Sequence, residues 1–287
     1  MIPFERVVVA GVGLIGGSLG LAMRERGLAR EVVGFGRGRP NLAVALERGA
    51  IDRYGLEPTI AADADLVVLG VPVAAMAGVT RALLPHASPR ALVLDVGSVK
   101  APVVAALAGV VRPPAAFVGC HPIAGTEHSG AANAFATLFE GSCCILTPTA
   151  DTDPSAVERA TRLWEAVGMR VESMSPAVHD RLLALVSHLP HVVAYSLAAA
   201  VEGERVEGRD PFAYSGGALR DATRVASSPP EMWRDIFVEN RAEVLRALAG
   251  FESAVGRLKR WIEAGDAPAL EAELGRVRAA RERLPRR

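Results

Sequence analysis

The chain has 287 residues, half of them apolar, enough for about two domains with a sizeable core in each. Its 32 basic residues balance 32 acidic ones, so no global field draws in nucleic acid or an anionic membrane, and an anionic ligand must be caught locally. Cys120, Cys143 and Cys144, an odd count with an adjacent pair, fit neither a disulfide framework nor zinc-ligand spacing; with no basic leader and no run read as bilayer-spanning, a reduced cytoplasmic protein is expected.

The first apolar run, residues 7–10, leads into Gly11-Val12-Gly13-Leu14-Ile15-Gly16-Gly17-Ser18 and then an apolar helix through Leu19, Leu21 and Met23. Strand, glycine loop and helix in that order are a dinucleotide-binding fingerprint. Gly11 allows the tight turn, Gly13 lets backbone approach a pyrophosphate, and Gly16 lets helix and strand pack closely, with Leu14 and Ile15 opening the helix beneath the phosphates. Further β-rich runs at residues 32–35, 66–71, 92–96, 117–120 and 143–147 alternate with potential helices. That alternation predicts an α/β Rossmann-type, doubly wound parallel sheet. The second run ends Gly34-Phe35-Gly36-Arg37-Gly38-Arg39, without the acid that usually binds the ribose hydroxyls of NAD. Arg37 and Arg39 suit a 2′-phosphate, so NADP is expected slightly ahead of NAD, with NAD or dual use open.

From Pro176 the pattern turns helical, which places a boundary near Met174 between a dinucleotide-binding domain, residues 1–174, and an all-helical substrate and dimerisation domain, residues 175–287. Trp233, Phe237, Val244, Leu248, Phe251, Val255, Leu258 and Ile262 form the apolar stripe expected of one long amphipathic helix. A stripe of that length predicts a homodimer, an intrachain bundle being the alternative. The Arg/Glu/Ala-rich tail, residues 267–287, reads as a terminal helix.

Ligands of open α/β sheets bind beyond the carboxyl ends of the strands, so the residues just after each run are the candidates. Gly70, Val71 and Pro72 come after Leu66 to Leu69 and face the cofactor in this reading; Ser98 follows the fourth run; His121 follows the fifth, ahead of Pro122 and a small-residue loop. His121 is suited to accept a proton near neutral pH, with an activity limb near the unperturbed value of about 6.5, and Ser98 to orient it or the nicotinamide amide. Lys100 reads as a surface lysine at a helix start. In Ser187-His188-Leu189-Pro190-His191, Ser187 and His191 share a helical face and Pro190 removes a donor and kinks the helix. No carboxylate stands at the HExxH spacing, and no metal is expected. Arg220 and Arg224, four apart, present guanidinium groups of the kind that clamp carboxylates.

In order, GLIGGSL at 13–19, DVGSVK at 95–100, HPIAGTE at 121–127, SHLPH at 187–191, RDATR at 220–224 and MWRDIFVEN at 232–240 resemble the prephenate/arogenate (cyclohexadienyl) dehydrogenase family of tyrosine biosynthesis, over nearly the whole chain. The resemblance implies hydride transfer from C4 of prephenate or arogenate to NAD(P), with His121 taking the proton of the C4 hydroxyl and Ser98 assisting. Ser187 and His191 would then contact the substrate, and Arg224 would hold a carboxylate. Thr126 and Glu127 would line the entrance, with Glu127 near enough to pair with Arg224, and Gly217 and Trp233 would reach the pocket from a second subunit. Two other readings stay open. A 3-hydroxyacid dehydrogenase of the 6-phosphogluconate type would be expected to use a lysine in its helical domain, where residues 175–195 offer histidines and no lysine. A non-catalytic dinucleotide sensor would have no use for His121, His191 and Arg224 together.

Overall fold

The computed structural model describes residues 4–126 and 128–284, so Glu127 lies outside the described residues. The chain divides into two compact units, residues 1–241 and 242–287. The first unit is built on a six-stranded parallel sheet of β1 (Phe4–Ala10), β2 (Ala29–Phe35), β3 (Arg53–Gly55), β4 (Leu66–Leu69), β5 (Leu92–Asp95) and β6 (Ala116–Val118), in the order β3-β2-β1-β4-β5-β6. Helices α1 (Leu14–Glu25), α2 (Arg39–Glu47), α3 (Val73–Leu83) and α4 (Ala101–Ala108) make four of the five crossovers, and a short 3-10 turn over Pro58–Ala61 lies in the fifth, from β3 to β4. Successive side chains of a strand face opposite ways, so both faces of the sheet need cover. Val7 and Val9 of β1 pack with Leu19 and Met23 of α1, whereas Val8 and Ala10 pack with Met76 and Leu83 of α3 and Val103 and Leu107 of α4. The chain leaves β1 for β2 on one side and reaches β4 on the other, and that reversal opens the ligand crevice beyond the carboxyl ends of β1 and β4.

The expected run at residues 117–120 is two strands rather than one. β6 ends at Val118, and beyond Gly119 β7 (Cys120–Ile123) departs into a second sheet, antiparallel to β8 (Cys143–Leu146), which is itself parallel to β9 (Arg170–Ser173). The run at 143–147 therefore does not extend the main sheet, as expected from its composition, but pairs with β7. Gly119 makes the change of sheet possible: a Cβ there would sit 2.5 Å from the Thr147 hydroxyl oxygen, and its carbonyl accepts from the Thr147 amide at 2.8 Å. Helix α5 (Pro154–Ala166) covers this sheet, with Leu163 and Trp164 buried in the same core as Cys120, Cys144 and Leu146.

Beyond β9 the first unit is helical: α6 (Pro176–Leu183), a wide π-type turn over Ala184–His188, α7 (Leu189–Glu202), α8 (Gly217–Thr223) and α9 (Pro230–Glu239). Ser175 caps α6 by accepting from the Val178 amide. Residues 176–202 form a 27-residue helical run, long and apolar enough by composition to cross a bilayer, which corrects the sequence reading. Within it His179, Asp180 and His188 are buried and bond to other parts of the unit, so one face of the run is packed, while Val178, Leu182, Leu185 and Val186 are exposed.

The single long helix expected over residues 233–262 is also corrected. It breaks at Asn240, which adopts φ −103° and ψ 27° between α9 and α10 (Arg241–Ala264). The Asn240 side-chain amide instead donates to the Asp180 carbonyl at 2.8 Å and meets His188 Nδ1 at 3.1 Å, so a tertiary commitment replaces helical continuity. In the second unit, α10 is followed by Gly265, at φ +62°, and by α11 (Ala267–Arg281), capped by Asp266.

Candidate active site

The glycine loop has the shape its spacing predicts. Gly11 sits at φ +90°, and a Cβ there would come 2.5 Å from the Gly70 carbonyl oxygen, so the loops after β1 and β4 touch through backbone. A Cβ on Gly16 would lie 2.4 Å from the Gly11 carbonyl oxygen, whereas one on Gly13 would meet nothing within 4 Å. That open space lies at the start of α1, whose N-terminus has no side-chain cap and begins with Leu14 and Ile15. Free amides, a helix dipole and room for a pyrophosphate fit a dinucleotide. Val71 and Pro72 lead into α3 just beyond the Gly70 contact. Arg37 and Arg39 lie past the end of β2, both exposed, and neither makes a hydrogen bond or ion pair among the described residues.

Asp95, the last residue of β5, organises the next part of the site. Fully buried, it accepts from the Gly97 amide at 2.8 Å, from the Cys120 amide at 3.1 Å and from Lys100 Nζ. Lys100 Nζ also donates to the Cys120 carbonyl at 2.6 Å. Lys100 is thus not the surface lysine expected: it is fully buried, because the carboxylate at the strand end needs a counter-charge and the turn before α4 directs the ammonium inward. Together Asp95 and Lys100 tie the end of β5 to the start of β7, immediately beside His121. Ser98, half-buried, lies on the loop between them.

His121, 9% exposed, lies on β7 opposite Ile145 of β8. Its Nδ1 is 2.8 Å from Nε2 of His179 on α6. Nδ1 of His179 is in turn 2.8 Å from Asp180 Oδ1, and the Asp180 carboxylate accepts from the Lys100 and Ala101 amides at 2.7 and 2.8 Å. His179 and Asp180 were absent from the sequence-derived candidates; the available signal was an adjacent His-Asp pair in the first turns of an apolar helix. Burial, then the neighbouring His179 and Lys100 charges, pushes His121 well below the ordinary histidine value. The activity limb expected near about 6.5 therefore moves downward. For Asp180, burial acts upward, but hydrogen bonds from His179 and the two amides leave its carboxyl below the usual range.

The helical part adds a second cluster. His191 Nδ1 donates to the Ser187 carbonyl at 2.9 Å, which makes Nε2 the acceptor of that ring. Arg224, at the end of α8, helps burial depress His191 through its charge. Trp233, expected from a second subunit, stacks instead on His191 of the same chain, with ring centroids 3.4 Å apart and planes at 21°. Val99 and Ile236 bury it. Thr126 lies on the loop after β7 and accepts from the His128 amide at 3.2 Å, Gly217 is exposed at the first turn of α8, and Arg220 follows on the same helix. The structure thus joins His121 to His179, Asp180 and Lys100, and joins His191 to Ser187 and Trp233, with the Arg224 charge acting on His191.

His121, His179, His188 and His191 all have lowered pKa values, chiefly through burial. The unfolded chain takes up protons below about 6.5 while the folded chain resists, so stability is full above that value and falls as pH drops. For His188, held at about 4, the window runs from 6.5 down to about 4. That group alone accounts for a loss of roughly 3 kcal/mol. Urea midpoints measured from pH 7.5 to 4.5 are expected to fall steadily; a flat profile would contradict the buried neutral rings.

The sequence matches the family described as prephenate dehydrogenase, nucleotide-binding domain, over residues 19–173, and prephenate dehydrogenase, dimerization domain, over residues 175–276. The chain belongs to the prephenate dehydrogenase family. Within it, the cyclohexadienyl dehydrogenase of Zymomonas mobilis is 38% identical over 269 residues, 93% of this chain and 91% of that protein. The prephenate dehydrogenase of Bacillus subtilis is 33% identical over 99% of this chain and 77% of its own length. Among solved structures, the Aquifex aeolicus prephenate dehydrogenase with hydroxyphenyl propionate and NAD+ superposes with a TM-score of 0.92, at 37% identity and 97% coverage of both chains. The Synechocystis arogenate dehydrogenase gives 0.80 at 30% identity, covering 97% of this chain and 99% of that one. The family therefore supplies an oxidoreductase with a nucleotide-binding domain and a dimerization domain, as the resemblance implied.

Proposed function

We propose that this chain oxidatively decarboxylates prephenate, arogenate or both, as a cytoplasmic homodimer whose domains divide near Met174. The observation that carries the reading is His121, a buried neutral base just beyond the parallel sheet whose glycine loop has room for a pyrophosphate. Bound NAD(P) supplies the two-electron acceptor for the hydride leaving C4. His121 accepts the C4 hydroxyl proton, and the oxygen's electron pair becomes the new carbonyl bond. The para carboxylate then leaves as carbon dioxide, its bonding pair completes the aromatic ring, and the resulting phenolate regains a proton. The fall of His121 below about 6.5 keeps the proton-accepting form available through neutral pH.

Arg224, whose charge acts on His191, takes a substrate carboxylate, with Ser187 and the Nε2 of His191 as polar contacts. The indole Nε1 of Trp233, buried with no partner among the described residues, suits the same wall. Ser98 assists His121, and Thr126 and Gly217 border the entrance. Gly11, Gly13, Leu14, Ile15, Gly16, Val71 and Pro72 hold the dinucleotide, with Arg37 and Arg39 favouring NADP. Exposed Val178, Leu182, Leu185 and Val186 on the first unit, and Phe251, Val255 and Ile262 on the second, support the dimer.

Initial rates with prephenate or arogenate against NAD or NADP test this directly: turnover in at least one combination is expected, with NADP ahead. Silence in all four, with cofactor binding intact, would overturn the activity, and a preference for NAD of about tenfold would overturn the cofactor assignment. Arg224→Ala should raise KM for the substrate, lowering kcat/KM by about 2–4 kcal/mol through an unpaired carboxylate. A normal KM would move the role to Arg220.

A further inference from the structure

Deletion of the base is only one way to disable a histidine; presenting the wrong nitrogen is another. The two ring nitrogens of His121 are not equivalent, and the surrounding hydrogen bonds decide which one can accept a proton. Asp180 is held as a carboxylate by the Lys100 and Ala101 amides and can only accept, so the His179 Nδ1 facing it at 2.8 Å must carry hydrogen. A neutral His179 then has a bare Nε2, 2.8 Å from Nδ1 of His121. Two bare nitrogens cannot share a hydrogen bond, so His121 Nδ1 must be the donor. Its proton-accepting lone pair is left on Nε2, the nitrogen turned away from the protein's own partner.

We propose that His179, polarised by Asp180, is the positioning residue that fixes the reactive tautomer and ring orientation of His121. The inference rests on the reading of His121 as the base and extends it to two residues that do not touch the substrate. The relay is buried at every point: His179 is fully enclosed and Asp180 is 3% exposed. The other charged or titratable groups around the pair are Lys100 at the start of α4, Asp95 at the end of β5 and His188 in the wide turn. None of these replaces the acceptor at His121 Nδ1, because Lys100 is committed to Asp95 and the Cys120 carbonyl and His188 Nδ1 to Asn240. The backbone anchors also matter. Asp180 holds the first amides of α4 while Lys100 grips β7, so the ring pair is clamped between α6 and the end of the sheet.

His179→Gln and His179→Leu separate polarity from mere space filling. A glutamine at 179 reproduces the pattern, its amide nitrogen donating to Asp180 and its carbonyl accepting from His121, whereas leucine provides neither. His179→Leu should lower kcat by about 10²-fold with KM within about threefold, and His179→Gln should recover to within about tenfold of the parent. In the unmodified protein, 15N-histidine NMR should show His121 protonated at Nδ1 and bare at Nε2, its signal assigned by loss in His121→Asn. Protonation at Nε2 instead, a His179→Leu kcat within about threefold of the parent, or glutamine no better than leucine would each overturn the relay. The NMR result stands even if the leucine variant fails to fold. Absence of turnover by the unmodified protein would overturn the activity reading, while turnover with normal His179 variants would overturn the relay alone.

Discussion

Replacing His121 with asparagine is expected to cut kcat by about 10²-fold or more while leaving KM for the substrate within a few fold. Asparagine preserves a side-chain amide of similar reach, which can still donate to His179 Nε2, so the β7 segment and its bonds through Cys120 to Lys100 and Asp95 should survive. What disappears is the group that receives the hydroxyl proton in the reading above, and its charged neighbours do not replace it: Lys100 is a paired cation and Asp95 is saturated by the Gly97 and Cys120 amides and the ammonium. Steady-state kinetics on the variant, with its cofactor affinity measured separately by fluorescence quenching, check this. Turnover equal to the parent would remove His121 from the mechanism; a large KM increase at unchanged kcat would make it a binding residue instead.

The second large effect concerns stability. Lys100→Met should destabilise the fold by about 3–5 kcal/mol, because the methionine fills similar space but leaves the Asp95 carboxylate buried without its counter-ion. The change is large against a total folding stability of about 5–15 kcal/mol, and urea unfolding would register it as a lowered midpoint. Combining Lys100→Met with Asp95→Asn should lose less than Lys100→Met alone, since the second change removes the stranded charge. A loss below about 1 kcal/mol for Lys100→Met would mean that the pair is not held as a buried ion pair.

The parts of this molecule that depend on local pattern were readable in the sequence. Alternating β-rich and helical runs, and glycines 11, 13 and 16 between β1 and α1, specify their own geometry within a few residues. The position of His121 just past the parallel sheet was readable because it follows the last residue of a strand-like run. Features set by contacts far along the chain were not. Lys100 looks like any lysine at a helix start until Asp95 and the Cys120 carbonyl are brought to it. Likewise Asn240 ends α9 because of bonds to Asp180 and His188, residues some sixty and fifty positions away, and no stripe of apolar spacing reports such a demand. The change of sheet at Gly119 hides in a run whose composition is uniformly strand-like, and its cause is the Thr147 side chain and backbone of another strand. His179 and Asp180 escaped for the same reason: a His-Asp dipeptide acquires meaning only when β7 presents a second imidazole to it.

The wide turn at Ala184–His188 carries a consequence for how this segment tolerates change. A π-type turn holds one residue more than an α-helical turn, and Pro190, which lacks an amide hydrogen, follows directly within the first turn of α7. Because about five residues of such a turn sweep nearly the same angle as four of α-helix, removing one residue there would close the run into a uniform α-helix and leave the downstream faces almost where they are. His191 would stay against the indole of Trp233 while His179 kept its place under His121. An added or lost residue early in α7 itself, by contrast, would turn everything beyond it by about 100°. The turn is thus a slack point in the run, where a change of length is absorbed that the regular helix on either side would pass on.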